Sequence, residues 1–371
     1  MRFNFLFQKL TKSYGFAALV AVISVNLAAQ RAEQSYPGVD KYLAEFLHPH
    51  EYQHAESIAN SIAGSLRREY AGEQILRDAH PKAHGCLQAA FDVYPDIPES
   101  LQHGVFVPGR TYSAVVRFSN GNSDATRSDA KGDTRGMAIK LEGVPGSKLL
   151  EHSDQLNAQD FLLMSFPAFF IDDAADYDEF FSIINSGSSW GLLKLPFVLG
   201  FSGSVNAFKM LRGKISNPIK TRYWSVVPYQ LGIGDQRVAV KYSARACRVA
   251  GKSDPESVFE NDPDFLRKVL KESVATEPAC MEFMIQISPK DASVERSVVE
   301  WSENESTFVP VAKLHFPAQK FDSQAQLEQC ERMVFNPWHS LAAHRPLGAV
   351  NRIRKLVYER ISQLRNTSRS E

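Results

Sequence analysis

The 371-residue chain contains only four cysteines, Cys86, Cys247, Cys280 and Cys330, and no two of them form a Cys-x-x-Cys pair. That excludes a zinc ribbon and a thioredoxin-like redox pair. Four cysteines can form up to two disulfides, whose partners the spacing does not fix, or can sit as small buried hydrophobes. An excess of charge is also missing. Lys plus Arg number 42 and Asp plus Glu 42, so no phosphate backbone is an expected partner and nucleic acid is excluded. A span-length apolar run is absent too. The uncharged stretch GFAALVAVISVNLAA, Gly15 to Ala29, is shorter than the roughly 20 residues a membrane helix needs. No polytopic membrane protein is expected from a mean hydropathy of −0.26.

That stretch has another use. Arg2, Lys9 and Lys12 precede it and small residues close it before Gln30-Arg31, which suits a secretory signal. Leu27 in place of a small residue makes the cleavage site imperfect. Residues 1–30 are therefore read as a signal peptide or signal anchor, the alternative being a buried N-terminal helix. The expected location is periplasmic, exported or membrane-anchored, with membrane association through this segment; a cytoplasmic location is the alternative. Residues 31–69 are read as an N-terminal helical arm. Tyr52 to about Tyr70 is its helix, with Arg67 and Arg68 suiting the last turn.

Downstream the pattern becomes β. RTYSAVVRFSN sets Tyr112, Ala114, Val116 and Phe118 against Ser113, Val115, Arg117 and Ser119. LQAAFDV, RGMAIKLEG, RYWSVVPYQLG, VAVKYSARAC, EFMIQISPK and FVPVAKLHFP are further strands. QDFLLMSFPAFFIDD, broken by Pro167, suits a pocket wall. Helices are expected at Asp176–Asn185, Pro263–Thr276 and Asn351–Arg365. With 44% hydrophobic residues, this is an α+β chain with an antiparallel β-barrel core and surrounding helices.

The last helix, NRIRKLVYERISQLR, lacks Gly and Pro, and Arg354, Tyr358, Ile361 and Arg365 share one face. A guanidinium one turn from a phenol favours the phenolate, which is an axial ligand for ferric haem iron. The other reading is an amphipathic surface helix with solvated arginines. Arg117 faces either inward, where it needs an anion, or solvent. If Phe118 packs on the outside, Arg117 is the inward residue. His80 and His84 have metal-ligand spacing on a helix, but Pro81 opposes one there. Ser189 in GSSWG matches the Gly-x-Ser-x-Gly spacing of a nucleophile elbow, yet a helical segment rather than a strand precedes it, so it is read as chance. The apolar stretch Leu192–Leu211 is either a lipid-facing surface or a buried helix pair.

In order, RDAHPKAHG, VVRFSN, DTRGMAIKL, FPAFFIDD, VPVAKL, FNP and Arg-x3-Tyr-x6-Arg resemble the haem catalases. The resemblance is to their shorter relatives, which lack the C-terminal helical and flavodoxin-like additions. It covers about residues 70–365, leaving 366–371 as an expected disordered tail, and it implies a catalase-like haem-binding fold carrying haem b. It also implies that Tyr358 is the proximal iron ligand and that Arg354 hydrogen-bonds its phenolate. Arg365, Arg77 and Arg117 would be propionate partners. His80 would be the distal histidine, Ser119 the serine orienting it, and Phe169 the phenylalanine on the distal porphyrin face.

One departure stands out. Catalases carry an asparagine three residues before the proline of the aromatic run; here that place is held by Met164, with Ser165 beside it. A thioether accepts weakly and cannot donate. The resemblance thus implies a haem oxidoreductase acting on peroxides, peroxidase-like or on organic and fatty-acid hydroperoxides, with weak catalase activity. A non-enzymatic haem-binding or haem-sensing protein is the alternative. The residues do not give the oligomeric state.

Overall fold

The structure is a computed structural model that describes residue 33 and residues 35–150, 157–247 and 262–368. The chain divides into Met1–Gly38 and Val39–Glu371, and the fold below is that of the second unit. The expected signal region, and residues 369–371 of the expected tail, lie outside the described residues.

Among the described residues, nine strands form one antiparallel sheet: β1 (Ala83–Val93), β2 (Thr111–Asn120), β3 (Arg135–Leu141), β4 (Gln159–Met164), β5 (Tyr223–Trp224), β6 (Tyr229–Leu231), β7 (Val238–Ala246), β8 (Ala279–Ile287) and β9 (Val309–Phe316). Their order is β5-β4-β3-β2-β1-β9-β8-β7-β6, and an additional β5–β7 pairing closes eight of them into a barrel with β6 hung on β7. Closure removes the sheet edges that would otherwise need covering. RYWSVVPYQLG, expected as one strand, is split into β5 and β6. Val226 between them takes a positive φ of 51°, and Pro228 has no N–H to donate to a ladder.

The barrel interior is the aromatic core. Phe118, Met137 and Leu163 sit opposite one another on β2, β3 and β4, together with Phe91, Phe106, Phe161, Tyr242 and Phe283. Because strand side chains alternate, the neighbouring rows face outward. Arg117, Ala138 and Leu162 form one outer row; Ser119, Gly136 and Met164 form the next. The two orientations anticipated for Arg117 are thereby corrected. Phe118 fills the interior, and Arg117 lies on the outer face yet is only 3% exposed, held against the His80–Pro81 turn at the bottom of the cleft that the C-terminal helix borders.

The helices are α1 (Glu51–Glu69), α2 (Ala174–Ser186), α3 (Ser189–Leu192), α4 (Leu195–Arg212), α5 (Phe265–Val274), α6 (Gln324–Arg332) and α7 (Ala349–Thr367). Within the expected N-terminal arm, the only other helical turn in Val39–His50 is Lys41–Leu43. Helix α7 continues two residues into the expected tail. It has no side-chain N-cap at Gly348; carboxylates from distant segments cap it instead. Glu45 accepts the Gly348 N–H at 2.7 Å and Glu295 the Ala349 N–H at 2.6 Å. Both favour the positive end of the helix dipole.

The same two carboxylates, with Glu51, surround Arg352. Its guanidinium is fully buried and lies 2.9 Å from Glu45, 2.7 Å from Glu51 and 2.9 Å from Glu295. This cluster pins α7 to α1 and to the loop before β9, and so sets where Arg354, Tyr358 and Arg365 stand. All four cysteines are paired, Cys86 to Cys330 and Cys247 to Cys280, which ties α6 to β1 and β7 to β8.

Candidate functional site

A cleft of about 970 Å³, part of it open to solvent, separates the outer face of β2–β3–β4 from α7. Its lining includes Arg77, His80, Arg117, Ser119 and Met164 on one side and Arg354, Tyr358 and Arg365 on the other. Residues from the turn before β1, from β2 and β4 and from α7, up to 288 positions apart by number, thus meet in one cavity. Apolar walls come from Ala138, Leu162, Val226, Phe335, Val357 and Ile361.

His80 sits in a turn just before β1 with a positive φ of 63°. Its Nδ1 lies 2.8 Å from the Asn120 carbonyl oxygen and 3.1 Å from Ser119 Oγ. A carbonyl can only accept, so Nδ1 carries the hydrogen and Nε2 is left to accept a proton. The ring rests on Gly136, where a Cβ would come within 2.5 Å of Nδ1 and 2.7 Å of Ser119 Oγ. Burial, reinforced by the charges of Arg117, Arg354 and Arg77, pushes the imidazole down to about 4. The histidine is therefore neutral at pH 7. His84 does not join it: it is a buried β1 residue. The described residues contain no group of three or more His, Cys, Asp or Glu able to hold a metal ion.

The four arginines differ in what they already hold. Arg117 donates to the carbonyls of His80 at 2.7 Å and Pro81 at 3.4 Å, while its Nε is buried with no hydrogen-bond partner among the described residues. Burial lowers its pKa to about 10, against the attraction of Glu331. Arg354 Nη1 is likewise buried without a hydrogen-bond partner, and its guanidinium lies 5.6 Å from the Phe169 ring centroid. Arg77 and Arg365, by contrast, both contact the Glu331 carboxylate, at 2.6 Å and 2.7 Å.

Two expected site residues lie off the cavity lining. Ser165 Oγ accepts the Arg135 N–H at 2.8 Å, and Ser165 N–H donates to the Arg135 carbonyl at 2.9 Å. Its side chain is spent on joining β4 to β3. Phe169 packs against Phe170 and Tyr177 and meets Arg354 from outside the cavity. Ser189 is the first residue of the short, exposed helix α3, with no strand before it.

Several residues of the site carried no sequence signal. Glu331 is one, visible only because α6 turns back onto α7. Asp78, beside His80 in the lining, is another; burial, with a smaller push from Glu69, raises its carboxyl to about 6. Off the cavity lining, in the barrel core beside Tyr242, the fully buried Tyr229 phenol has no hydrogen-bond partner among the described residues. Burial raises its pKa, Arg354 opposing and Tyr358 adding to the rise. Asp160, at 0% exposure, fixes the wall that carries Phe335. It binds Lys140 at 2.7 Å, His339 at 2.8 Å and the Asn336 N–H at 2.9 Å. Burial would raise its pKa, but Lys140 and His339 hold it below the usual carboxylate range.

This fold is that of solved catalases. The chain is similar to a fungal catalase, with a TM-score of 0.63 and 17% identity over 81% of this chain and 62% of that one. Catalase A of Saccharomyces cerevisiae gives 0.60 and 18% over 81% and 63%. A bacterial catalase gives 0.53 and 15% over 81% and 59%. The chain thus spans about three-fifths of each of these proteins. No family model matches the sequence, and no curated protein matches it.

Proposed function

We propose that the cleft binds a b-type haem with Tyr358 as the iron ligand, and that the protein is an oxidoreductase acting on peroxides. The observation that carries this reading is the placement of Arg354 and Tyr358, one helical turn apart on α7, in the same cavity as His80 and Ser119 on the barrel. A flat apolar dianion fits such a donor set. Apolar walls suit a porphyrin's faces, and Arg117 Nε and Arg354 Nη1 are buried donors with no acceptor among the described residues.

A bound haem would supply the redox chemistry of O–O cleavage. The chain's own part is acid–base and electrostatic. Neutral His80 accepts the peroxide proton at Nε2 while its Nδ1–H stays on the Asn120 carbonyl, and it returns that proton to the departing oxygen. Tyr358 would hold the haem iron through its phenol oxygen, with the Arg354 guanidinium one helical turn away on the same side of the cleft. Met164, at the end of the Ser119–Gly136 row, offers no N–H to a bound peroxide. That favours substrates held by apolar contact, an organic or fatty-acid hydroperoxide, over hydrogen peroxide.

Two disulfides and no free cysteine among the described residues support an exported protein, since such bonds persist in oxidising compartments. Met164 also supports a second reading, a haem-binding or haem-sensing protein without turnover. The test is the absorption spectrum of purified protein before and after haem addition, with Tyr358→Phe alongside. We expect a ferric-phenolate spectrum that this variant loses; equal haem content and an identical spectrum in the variant overturn the ligand assignment. Turnover of an alkyl hydroperoxide by the haem-loaded protein separates the enzyme from the sensor.

A further inference from the structure

The stretch from α3 through α4 is the least protein-like part of the surface. Trp190 is 82% exposed, Phe197 88% and Phe201 87%, and Leu192, Leu193, Phe208 and Leu211 are exposed with them. A soluble monomer scatters single apolar side chains, but a contiguous group of large ones marks an interaction site. The buried helix pair that this stretch could have formed is therefore not what the fold contains. Only Gly203 and Met210 of α4 are buried, and Gly203 is where the helix touches the protein, against the Phe170 carbonyl. Asn206 anchors the same side by donating to the carbonyls of Phe169 at 2.8 Å and Val298 at 2.9 Å. The opposite face carries the aromatics. After the break at Gly200, whose φ is 62°, Phe201, Phe208 and Arg212 fall at i, i+7 and i+11 on one side.

Charge identifies what covers this face. In a chain of balanced charge, no Asp or Glu occurs between Glu179 and Asp235, while Lys194, Lys209, Arg212, Lys214, Lys220 and Arg222 do. Lys194, Lys209, Arg212, Lys214 and Lys220 are exposed. Arg222 is paired with Glu303, and Arg212 lies over the Phe208 ring at 5.0 Å. Of the acidic residues before the stretch, Asp172 pairs with Arg296 and Asp178 with His54, while Glu179 is exposed on α2. Exposed aromatics interspersed with lysines, on a stretch that contributes no carboxylate of its own, suit the interface of an anionic bilayer. Rings enter the headgroup boundary there while ammonium groups stay among the phosphates. A second copy of the chain meeting this face through itself would set like charges against like, which opposes association.

We propose that the α3–α4 face docks on the surface of a negatively charged lipid bilayer, inserting Trp190, Phe197 and Phe201 and spreading its lysines over the headgroups. Docking is interfacial: among the described residues no helix is long and apolar enough to cross.

Trp190 reports on this face directly, because Trp301 and Trp338 are each 4% exposed and Trp224 is also partly buried. The full-length protein is mixed with phosphatidylcholine vesicles, with or without phosphatidylglycerol, that carry brominated acyl chains. Quenching of tryptophan emission is then followed. We expect quenching on anionic vesicles, its loss in Trp190→Phe, and its loss in Phe197→Ser/Phe201→Ser, a variant of exposed residues that keeps the fold. Each lysine near an anionic leaflet is worth a factor of about five in partitioning, so Lys194→Glu/Lys209→Glu should weaken binding at least roughly 25-fold. Three results overturn the proposal. One is co-sedimentation with vesicles while Trp190 stays unquenched, as binding through the N-terminal run alone would give. Another is equal quenching on neutral and anionic vesicles. The third is a concentration-dependent dimer that shields Trp190 without lipid.

Discussion

Glu331 and Arg365 face each other across the end of the cleft, the carboxylate 2.7 Å from Arg365 Nη2 and the backbone carbonyl of Glu331 at the same distance. Arg77 shares that carboxylate at 2.6 Å. Two of the guanidiniums that resemblance assigns to haem propionates are therefore held by a side chain of the protein itself. Cys330, one residue earlier, fixes the position through its disulfide to Cys86 on β1.

A bound propionate must share or displace that carboxylate. Glu331→Gln should therefore bind haem more tightly, on the order of tenfold, which corresponds to about 1.4 kcal/mol. The measurement is a haem titration followed by absorbance, on the variant and the wild type. Weaker binding by the variant would mean that Glu331 organises the arginines for the ligand and does not compete with it.

Arg352 is the residue whose loss should cost most outside the cleft. Replacing it by Met removes the cation that Glu45, Glu51 and Glu295 share, while Glu45 keeps Arg345 at 2.6 Å. Breaking a buried ion pair from one side costs about 3–5 kcal/mol. Chemical denaturation should show a fall of that size, and a change under about 1 kcal/mol would show that the cluster is not what holds α7.

Two cleft residues give the haem-free protein opposing pH dependences. His80 has a folded pKa of about 4, below its unfolded value. Between about 4 and about 6.5 the unfolded chain binds the proton and the folded one does not. This contribution is full above that window and is lost as pH falls through it. Asp78, raised to about 6, takes its proton first in the folded state. Its contribution is full below about 3.9 and is lost as pH rises through about 6. Asp78→Asn should therefore be more stable than wild type at pH 8, with the gap closing toward pH 4. Thermal melts across that range check this; a gap that widens on acidification would reverse the sign given to Asp78.

Met164 and Ser165 are now distinguishable. Met164 lines the cavity, whereas Ser165 is bound to the Arg135 backbone. With haem bound, Met164→Asn should raise oxygen evolution from hydrogen peroxide, by up to roughly 10²–10³ if the amide acts as a donor in the transition state. Ser165→Asn should leave that rate unchanged and lower stability. Stopped-flow rates for both variants decide it, and a full catalase rate in the wild type would remove the role given to the missing amide.

Local periodicity was enough to place most strands, α1, α2, α5 and α7, because alternation and the 3.6-residue repeat are properties of the chain itself. The stripe of Arg354, Tyr358, Ile361 and Arg365 was legible for the same reason. Which face of β2 is inside was not. Phe118 and Arg117 alternate in either case, and only barrel closure through β5–β7 decides which one is enclosed. Nor could the sequence show that Arg117 is buried while facing outward, since the His80–Pro81 turn, from an earlier segment, packs against it and α7 borders the cleft from more than 200 residues later. The cysteine pairing, the Glu331 bridge and the Arg352 cluster depend in the same way on contacts between distant segments. The exposure of Phe197 and Phe201 does too, because an apolar helix reads alike in a core or on a surface until its neighbours are known.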